Sequence, residues 1–279
     1  MMSNLEEIKQ QIVEYAKGMG ASLVGFAPLE RWKESNEVHP SYHPDGIWSE
    51  AKTVIVLGVP ILLPILETTP SINYVEQYDT SNVMLDQIAY RLAIYLNDLG
   101  HASIFLPRDG YGNIEILIDK PVAAFSHVYA GKYAGLGTIG YNNTLLNEKY
   151  GPRVRYVSVF TDLSLPGDSL VEKELCNGCR VCQKLCPSRA FTTRDNEVVA
   201  KMDKVACARY HADLKHENRY PCGICIKVCH VGKDRQLYKS NNIKLYLEEK
   251  EAIQKNPDDP RYRGWVHCRT HGSKGDRKF

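Results

Sequence analysis

Four cysteines spaced C-x2-C-x2-C-x3-C-P, at Cys176, Cys179, Cys182 and Cys186 with Pro187 closing the run, constrain this chain more than any other feature. A tight loop can aim three sulfurs at one metal centre, while the x3 step starts a helical turn that swings the fourth sulfur away. Pro187 suits the first turn of that helix, where a missing N–H does no harm. With this spacing bacterial iron–sulfur proteins hold 4Fe–4S cubanes, three thiolates on one cluster and the fourth on its neighbour. A second run, Cys222, Cys225 and Cys229, repeats the last three positions, but Arg219 stands where its leading cysteine belongs. Cys207 is available to supply the missing ligand. The count then closes at four plus four: Cys176, Cys179, Cys182 and Cys229 on one cluster, Cys186, Cys207, Cys222 and Cys225 on the other. Cys268, the ninth cysteine, is left over as a thiol with no ligand role. Paired C-x2-C units can also build tetrahedral zinc sites, which is the metal alternative, although the C-x2-C-x2-C-x3-C-P run is not the paired-knuckle spacing of those modules.

The rest of the chain is that of a globular protein, with 43% hydrophobic and 24% charged residues over 279 positions. No stretch reaches the roughly 18 consecutive apolar residues of a membrane span, and the strongest run, 54–66, is broken by Gly58, Pro60 and Pro64. The first 18 residues lack the charged start, apolar middle and small-residue cleavage site of a secretory leader. A cytoplasmic location is therefore expected, where clustered cysteines bind metal rather than pair as disulfides. A formal charge of +2 points to no particular partner. The basic residues near the end, Arg261, Arg263, Arg269, Lys274, Arg277 and Lys278, could touch RNA or another anion; a solvated tail is the expectation.

Apolar residues at helical spacing over 5–19, then Gly20, then an apolar segment 22–27, predict helix, stop and strand. A second strand is expected over 52–59, an amphipathic helix over 82–99 ended by Gly100, a strand over 102–106, a helix over 119–134 and a strand over 153–161. Helices and strands mix without a strict βαβ repeat, so an α+β domain over 1–165 is expected. It is followed by a two-cluster segment over 166–240 and a basic extension over 241–279. In the cysteine segment the clusters stand in for much of the hydrophobic core.

Gly135, Gly137 and Gly140 match G-x-G-x-x-G, but the dinucleotide fingerprint needs a preceding strand and a following long helix. Here the flanks look helical before and turn-like after. These glycines, with Asn142, are instead candidates for close backbone approach to a different cofactor. Tyr78 and His127 are candidate proton donors or ligand contacts, with Asn82, Tyr129 and Tyr133 nearby. Asp119 follows the apolar segment 114–118 and is placed at a strand end, where active sites gather, although an N-cap role explains it too.

The chain resembles the epoxyqueuosine reductase-like iron–sulfur family, which is related to reductive dehalogenases. The resemblance is carried by Gly20-Ala21-Ser22-Leu23-Val24-Gly25, by the run from Ala134 through Gly135, Gly137 and Gly140 to Asn142, by Phe160-Thr161-Asp162-Leu163, and by the two cysteine runs with separate Cys207. It implies a nitroreductase-like α+β domain that binds base-off cobalamin, followed by a ferredoxin-like domain that delivers electrons singly. The family's catalytic acid stands in an Asp-x-x-Pro context, whereas here proline comes one residue sooner, at Asp119-Lys120-Pro121. The chain ends at Phe279 without the helical-repeat domain of many tRNA-acting members, so tRNA is not the expected substrate. The expected function is reduction of a small-molecule substrate, with electrons from an external donor passing through two 4Fe–4S clusters to a corrinoid. The alternative is a non-enzymatic electron-transfer or activating protein whose N-terminal domain is a docking surface.

Overall fold

The computed structural model describes residues 4–193 and 198–274. Helix α1 (Asn4–Gly18) turns Ile12 and Ala16 inward and stops at Gly20, whose φ of +107° is a conformation that suits glycine. Strands β1 (Leu23–Pro28) and β2 (Thr53–Pro60) follow, then the long helix α2 (Ile72–Asp98) and β3 (Ser103–Leu106). The sequence expectation for α2 began at residue 82. It starts ten residues earlier because Ser71 caps it, accepting from the backbone N–H of Tyr74. Helix α3 (His127–Tyr133) leads into a short hairpin, β4 (Thr138–Ile139) with β5 (Leu145–Leu146), and then into β6 (Val154–Thr161).

The four longer strands form one antiparallel sheet in the order β1-β2-β6-β3. Its alternation decides the two cores. Ile55, Leu57, Val59, Val157 and Val159 face α1 and α2, whereas Val54, Val56, Val154, Tyr156 and Phe160 pack with Trp32, Phe125 and α3. Each large apolar side chain sealed in this way contributes about 1.5–3 kcal/mol. A one-residue slip of β6 would exchange the two sets and bury Arg155 against the wrong face.

Three expectations are corrected here. Residues 114–119 form no strand: Ile114 packs onto Ala208 and Ala212, and a single helical turn, Ile116–Asp119, follows. The helix expected over 119–134 is confined to α3, because Lys120-Pro121 interrupts it. The basic stretch read as a solvated tail folds as far as it is described, with Arg277 and Lys278 lying outside the described residues. After α4 (Lys204–His216), helices α5 (Lys244–Lys255) and α6 (Arg263–Thr270) pack through buried Ile253, Tyr262 and Val266. Arg269 is 2% exposed, bonds Glu249 at 2.6 Å and donates to the carbonyls of Thr68 and Glu67. Its charge is thus a structural clamp rather than a solvated one.

The cysteine segment packs on the sheet domain through a third core that joins Tyr141 of the hairpin to Cys182, Phe191, Val228 and Tyr246. Arg153, just before β6, locks the same junction. It is fully buried, pairs with Asp234 through bonds of 2.6 and 2.7 Å, and donates to the carbonyls of Ile226, Cys229 and Val231.

Candidate functional site

All nine cysteines are free thiols. Burial pushes the Cys182 thiol up to about 12, and the sulfurs of Cys229, Cys179 and Cys176 act in the same direction. Burial likewise raises Cys222 to about 12, with Cys207 and Cys186 adding to the effect. Cys225 is pushed well up by burial, then by Cys222, Cys207, Cys182 and Cys186. The sulfurs therefore lie in two neighbourhoods, one of Cys176, Cys179, Cys182 and Cys229, the other of Cys186, Cys207, Cys222 and Cys225, with Cys225 also close to the first.

Local geometry serves the same arrangement. Gly178 and Arg180 adopt left-handed backbone around Cys179, and Gly223 does so between Cys222 and Cys225, which is how so short a loop turns its sulfurs inward. The backbone N–H of Tyr141 donates to Cys176 Sγ at 3.5 Å and that of Ala190 to Cys186 Sγ at 3.4 Å. Cys182, Cys222 and Cys225, whose ionisation burial opposes, need a strong positive centre to become thiolate, a role that iron can fill. Among the described residues no group of three or more His, Cys, Asp or Glu side chains is placed to hold a metal ion. Cys268 stands apart, accepting from Asn73 Nδ2 at 3.1 Å.

The two neighbourhoods differ in what they face. Cys179 is exposed, whereas Cys186, Cys207, Cys222 and Cys225 all line a cavity of about 430 Å³ at the start of β6. That volume is within the range of small-molecule sites, about 300–1,000 Å³. Tyr78, Tyr111, Tyr220 and Arg155 line the same cavity. Arg155 lies 4.6 Å from the centre of the Tyr78 ring, donates to Asn82 Oδ1 at 3.0 Å and pairs with Asp109 at 2.7 Å. Burial works against its charge, but Tyr78 and Asp109 outweigh that, so it is a fixed cation. The hydroxyls of Tyr111 and Tyr220 are 3.2 Å apart, and Tyr78 meets Tyr220 edge to face at 5.7 Å. Burial, then the neighbouring phenols Tyr78 and Tyr111, hold the Tyr220 hydroxyl protonated.

The sequence candidates are distributed unevenly about this cavity. Tyr78 and Asn142 line it, and Asn142 donates to the carbonyl of Cys225 at 3.3 Å. His127 lines it too, but both ring nitrogens are occupied, Nδ1 with Ser158 Oγ and Nε2 with the Pro107 carbonyl, each at 2.9 Å. Burial lowers its pKa to about 4, so it is a neutral, anchored ring. Asp119 is exposed and does not line the cavity. Gly135, Gly137 and Gly140 lie beside it without lining it. A Cβ on Gly137 would fall 1.8 Å from the Leu146 carbonyl oxygen, and one on Gly135 would fall 2.2 Å from that of Ser169. The close approach that these two glycines allow is to the chain's own backbone. The G-x-G-x-x-G run thus opens a hairpin rather than a long helix, and it lacks the frame of a dinucleotide site.

Arg155, Tyr111, Tyr220 and His211 were not singled out in the sequence. An arginine inside the alternating strand 153–161 is an available signal, since a charge on a buried face calls for a purpose. His211 follows Cys207 by four residues and so shares its helix face. Its ring meets Tyr220 at 5.4 Å, and burial lowers it to about 4.

Fold and site together define a mixed α/β protein with a cavity lined by four cysteines, several phenols and an arginine. The relatives of this chain are reductases, and oxidoreductase is the class they support. A tetrachloroethene reductive dehalogenase of Dehalobacter restrictus is 25% identical over 82% of this chain and 48% of its own length. An epoxyqueuosine reductase of Bacillus cereus is 23% identical over 82% of this chain and 66% of its own length. In structure, the catabolic reductive dehalogenase NpRdhA superposes with a TM-score of 0.66 at 21% identity, covering 96% of this chain and 39% of that one. These are the two groups that the sequence motifs resemble. The chain spans about half the length of the dehalogenases it matches, and no family model matches it. No helix among the described residues is long and apolar enough to cross a membrane.

Proposed function

We propose that this protein is an iron–sulfur reductase, in which two 4Fe–4S clusters carry electrons into the cavity at the start of β6. The observation that carries this reading is the position of Cys186, Cys207, Cys222 and Cys225 in the wall of that cavity, which Arg155 and six tyrosines also line. In this reading the set that includes the exposed Cys179 receives electrons from an external donor, and the cavity-wall set delivers them. The sheet domain, 1–165, is in this reading the nitroreductase-like half, 166–240 is the ferredoxin-like half, and 241–279 is the basic extension. The location that suits such clusters is the cytoplasm.

The resident cofactor in this proposal is a corrinoid, which the aromatic side chains and Asn142 that line the cavity would hold. When bound, it would supply a metal centre able to accept electrons singly and pass them to substrate. The protein's own residues supply the rest. Reductive removal of a substituent consumes two electrons and at least one proton. Tyr111 and Tyr220, kept neutral by burial, can each donate a hydrogen bond or a proton, and Tyr78 presents a third phenol. Arg155 stabilises negative charge that develops beside Tyr78, and the anchored ring of His127 shapes the wall. The proposed substrate is a small molecule. Because a solved epoxyqueuosine reductase is bound to a tRNA stem loop, a tRNA substrate is the second reading, beside the expectation of a small molecule.

The test is anaerobic reconstitution with iron and sulfide, addition of cobalamin, and gel filtration. Co-elution of about one corrinoid per chain supports the proposal. Failure to retain any would remove the corrinoid while leaving the reductase class standing.

A further inference from the structure

Among the described residues five lysine or arginine side chains are buried: Arg153, Arg219, Lys227, Arg235 and Arg269. Four of them are paired with a carboxylate. Asp234 serves Arg153 at 2.6 Å, Glu217 serves Arg219 at 3.7 Å, and Glu249 serves Lys227 and Arg269 at 2.8 and 2.6 Å. Arg235 is the exception. It is 1% exposed, yet it donates only to neutral acceptors: the carbonyls of Cys229 and Ser240, each at 2.8 Å, the carbonyl of Lys227, and the Tyr246 hydroxyl at 2.9 Å. Glu67 is reached only at one remove, through the Tyr246 hydroxyl that donates to it. These bonds satisfy the guanidinium's donors without cancelling its charge, and a buried charge is costly unless something of opposite sign faces it.

What Arg235 holds is Cys229. Its Nε donates to the carbonyl oxygen of that cysteine, the same oxygen that accepts from Arg153 Nη1 at 3.0 Å. Two buried guanidinium groups therefore converge on one cysteine, but the charge of Arg153 is balanced by Asp234 and that of Arg235 is not. Burial raises the Cys229 thiol, whereas the Val231 N–H, then Arg153 and Arg235, favour its thiolate. In the reading above Cys229 is a ligand of the cluster that also takes Cys176, Cys179 and Cys182. A 4Fe–4S cubane with four thiolates carries about two negative charges, and about three once it has accepted one electron. That charge has the sign that Arg235 lacks in a partner.

We propose that Arg235 is the buried counter-charge of the cluster ligated by Cys229, and that it raises the reduction potential of that cluster. The proposal rests on the two-cluster reading above. Arg235 is a positioning residue, acting through Cys229 and through its charge rather than by touching substrate. The net charge and the hydrogen bonds around a cluster set its potential. A fixed cation in a desolvated site stabilises the reduced state, which carries the extra negative charge, more than the oxidised state. The consequence is that the cluster nearer the exposed Cys179 accepts one electron from the external donor more readily.

The test compares wild type, Arg235→Met and Arg235→Lys as full chains reconstituted anaerobically with iron and sulfide. Iron content and the midpoint potentials of the clusters, followed by electron paramagnetic resonance during a redox titration, are the two readouts. In R235M one midpoint is expected to fall by about 59 mV, a tenfold shift of a one-electron equilibrium, while the other moves less. R235K keeps the charge without the planar fork and is expected to stay near wild type. If R235M loses iron that R235K retains, the charge is again what the cluster requires, and the proposal stands. Unchanged midpoints in R235M, or equal falls in R235M and R235K, would overturn it and leave the two-cluster reading intact. Equal shifts of both midpoints in R235M would overturn the assignment to the Cys229 cluster, and loss of iron from both variants would show that the fork serves the fold alone. Wild type that binds no iron would overturn the two-cluster reading and this proposal with it.

Discussion

Replacing Arg153 by methionine should be among the most damaging single changes that spare every cysteine. The Arg153 side chain is fully buried, and that of its partner Asp234 is 6% exposed. Two charged bonds, of 2.6 and 2.7 Å, join them, and three more run to the carbonyls of Ile226, Cys229 and Val231. R153M leaves a buried carboxylate uncompensated and strips the donors from the loop that presents Cys229. Breaking one side of a buried pair costs about 3–5 kcal/mol. With a urea dependence near 3 kcal/mol/M, the upper end for domains, the unfolding midpoint should fall by roughly 1 M or more. The assay is urea unfolding of anaerobically reconstituted protein, followed by tryptophan fluorescence. The double variant R153M/D234L removes both charges and should recover much of the loss, giving a large coupling energy. A loss below about 1 kcal/mol in R153M, or strictly additive losses in the double variant, would refute the claim that this pair locks the junction.

Substituting Cys207 by serine should lower bound iron from about eight to about four per chain, whereas Cys268→Ser should leave it unchanged; equal behaviour would show that Cys207 is not the fourth ligand. Lowering the pH should expose the buried histidines. His127 has a folded pKa of about 4 against 6.5 in the ordinary state, so the unfolded chain takes up the proton first, and stability present above pH 6.5 erodes as the pH falls toward 4. His127→Gln should reduce that slope in melting experiments across the window, with His211 leaving part of it; an unchanged slope would contradict the buried, neutral assignment. Gly137→Ala should destabilise the protein by more than about 2 kcal/mol, since its Cβ would collide with the Leu146 carbonyl; a neutral substitution, measured by thermal unfolding, would disprove the close approach.

The parts legible in the sequence are those with a fixed period or a fixed chemistry. Strand β1 is legible as a short apolar segment after a glycine stop, β2 as a run of β-branched residues, β6 from its alternation, and α1 from its apolar stripe. The start of α2 was hidden because residues 72–81 present Tyr74, Tyr78 and Ser81 to the interior, side chains that a hydrophobic pattern does not count. The metal-type cysteines are visible because C-x2-C spacing encodes a loop. The cavity is not, since Tyr78, Tyr111, Arg155 and Tyr220 come together from distant segments with no local signature. Asp119 illustrates the converse, a plausible acid in sequence whose segment folds onto α4 and away from the cavity. Arg269 looked like one of several tail charges and became a buried clamp, because only the packing of α6 reveals the carbonyls of Glu67 and Thr68.

The most direct test of the account is the iron, sulfide and cobalt content of protein purified anaerobically from cells supplied with cobalamin, read beside its absorption spectrum. About eight iron per chain with stoichiometric corrinoid is the predicted result. Eight iron with no corrinoid, even after reconstitution, would contradict the cavity's proposed cofactor, and a content near four would contradict the pairing of two clusters itself.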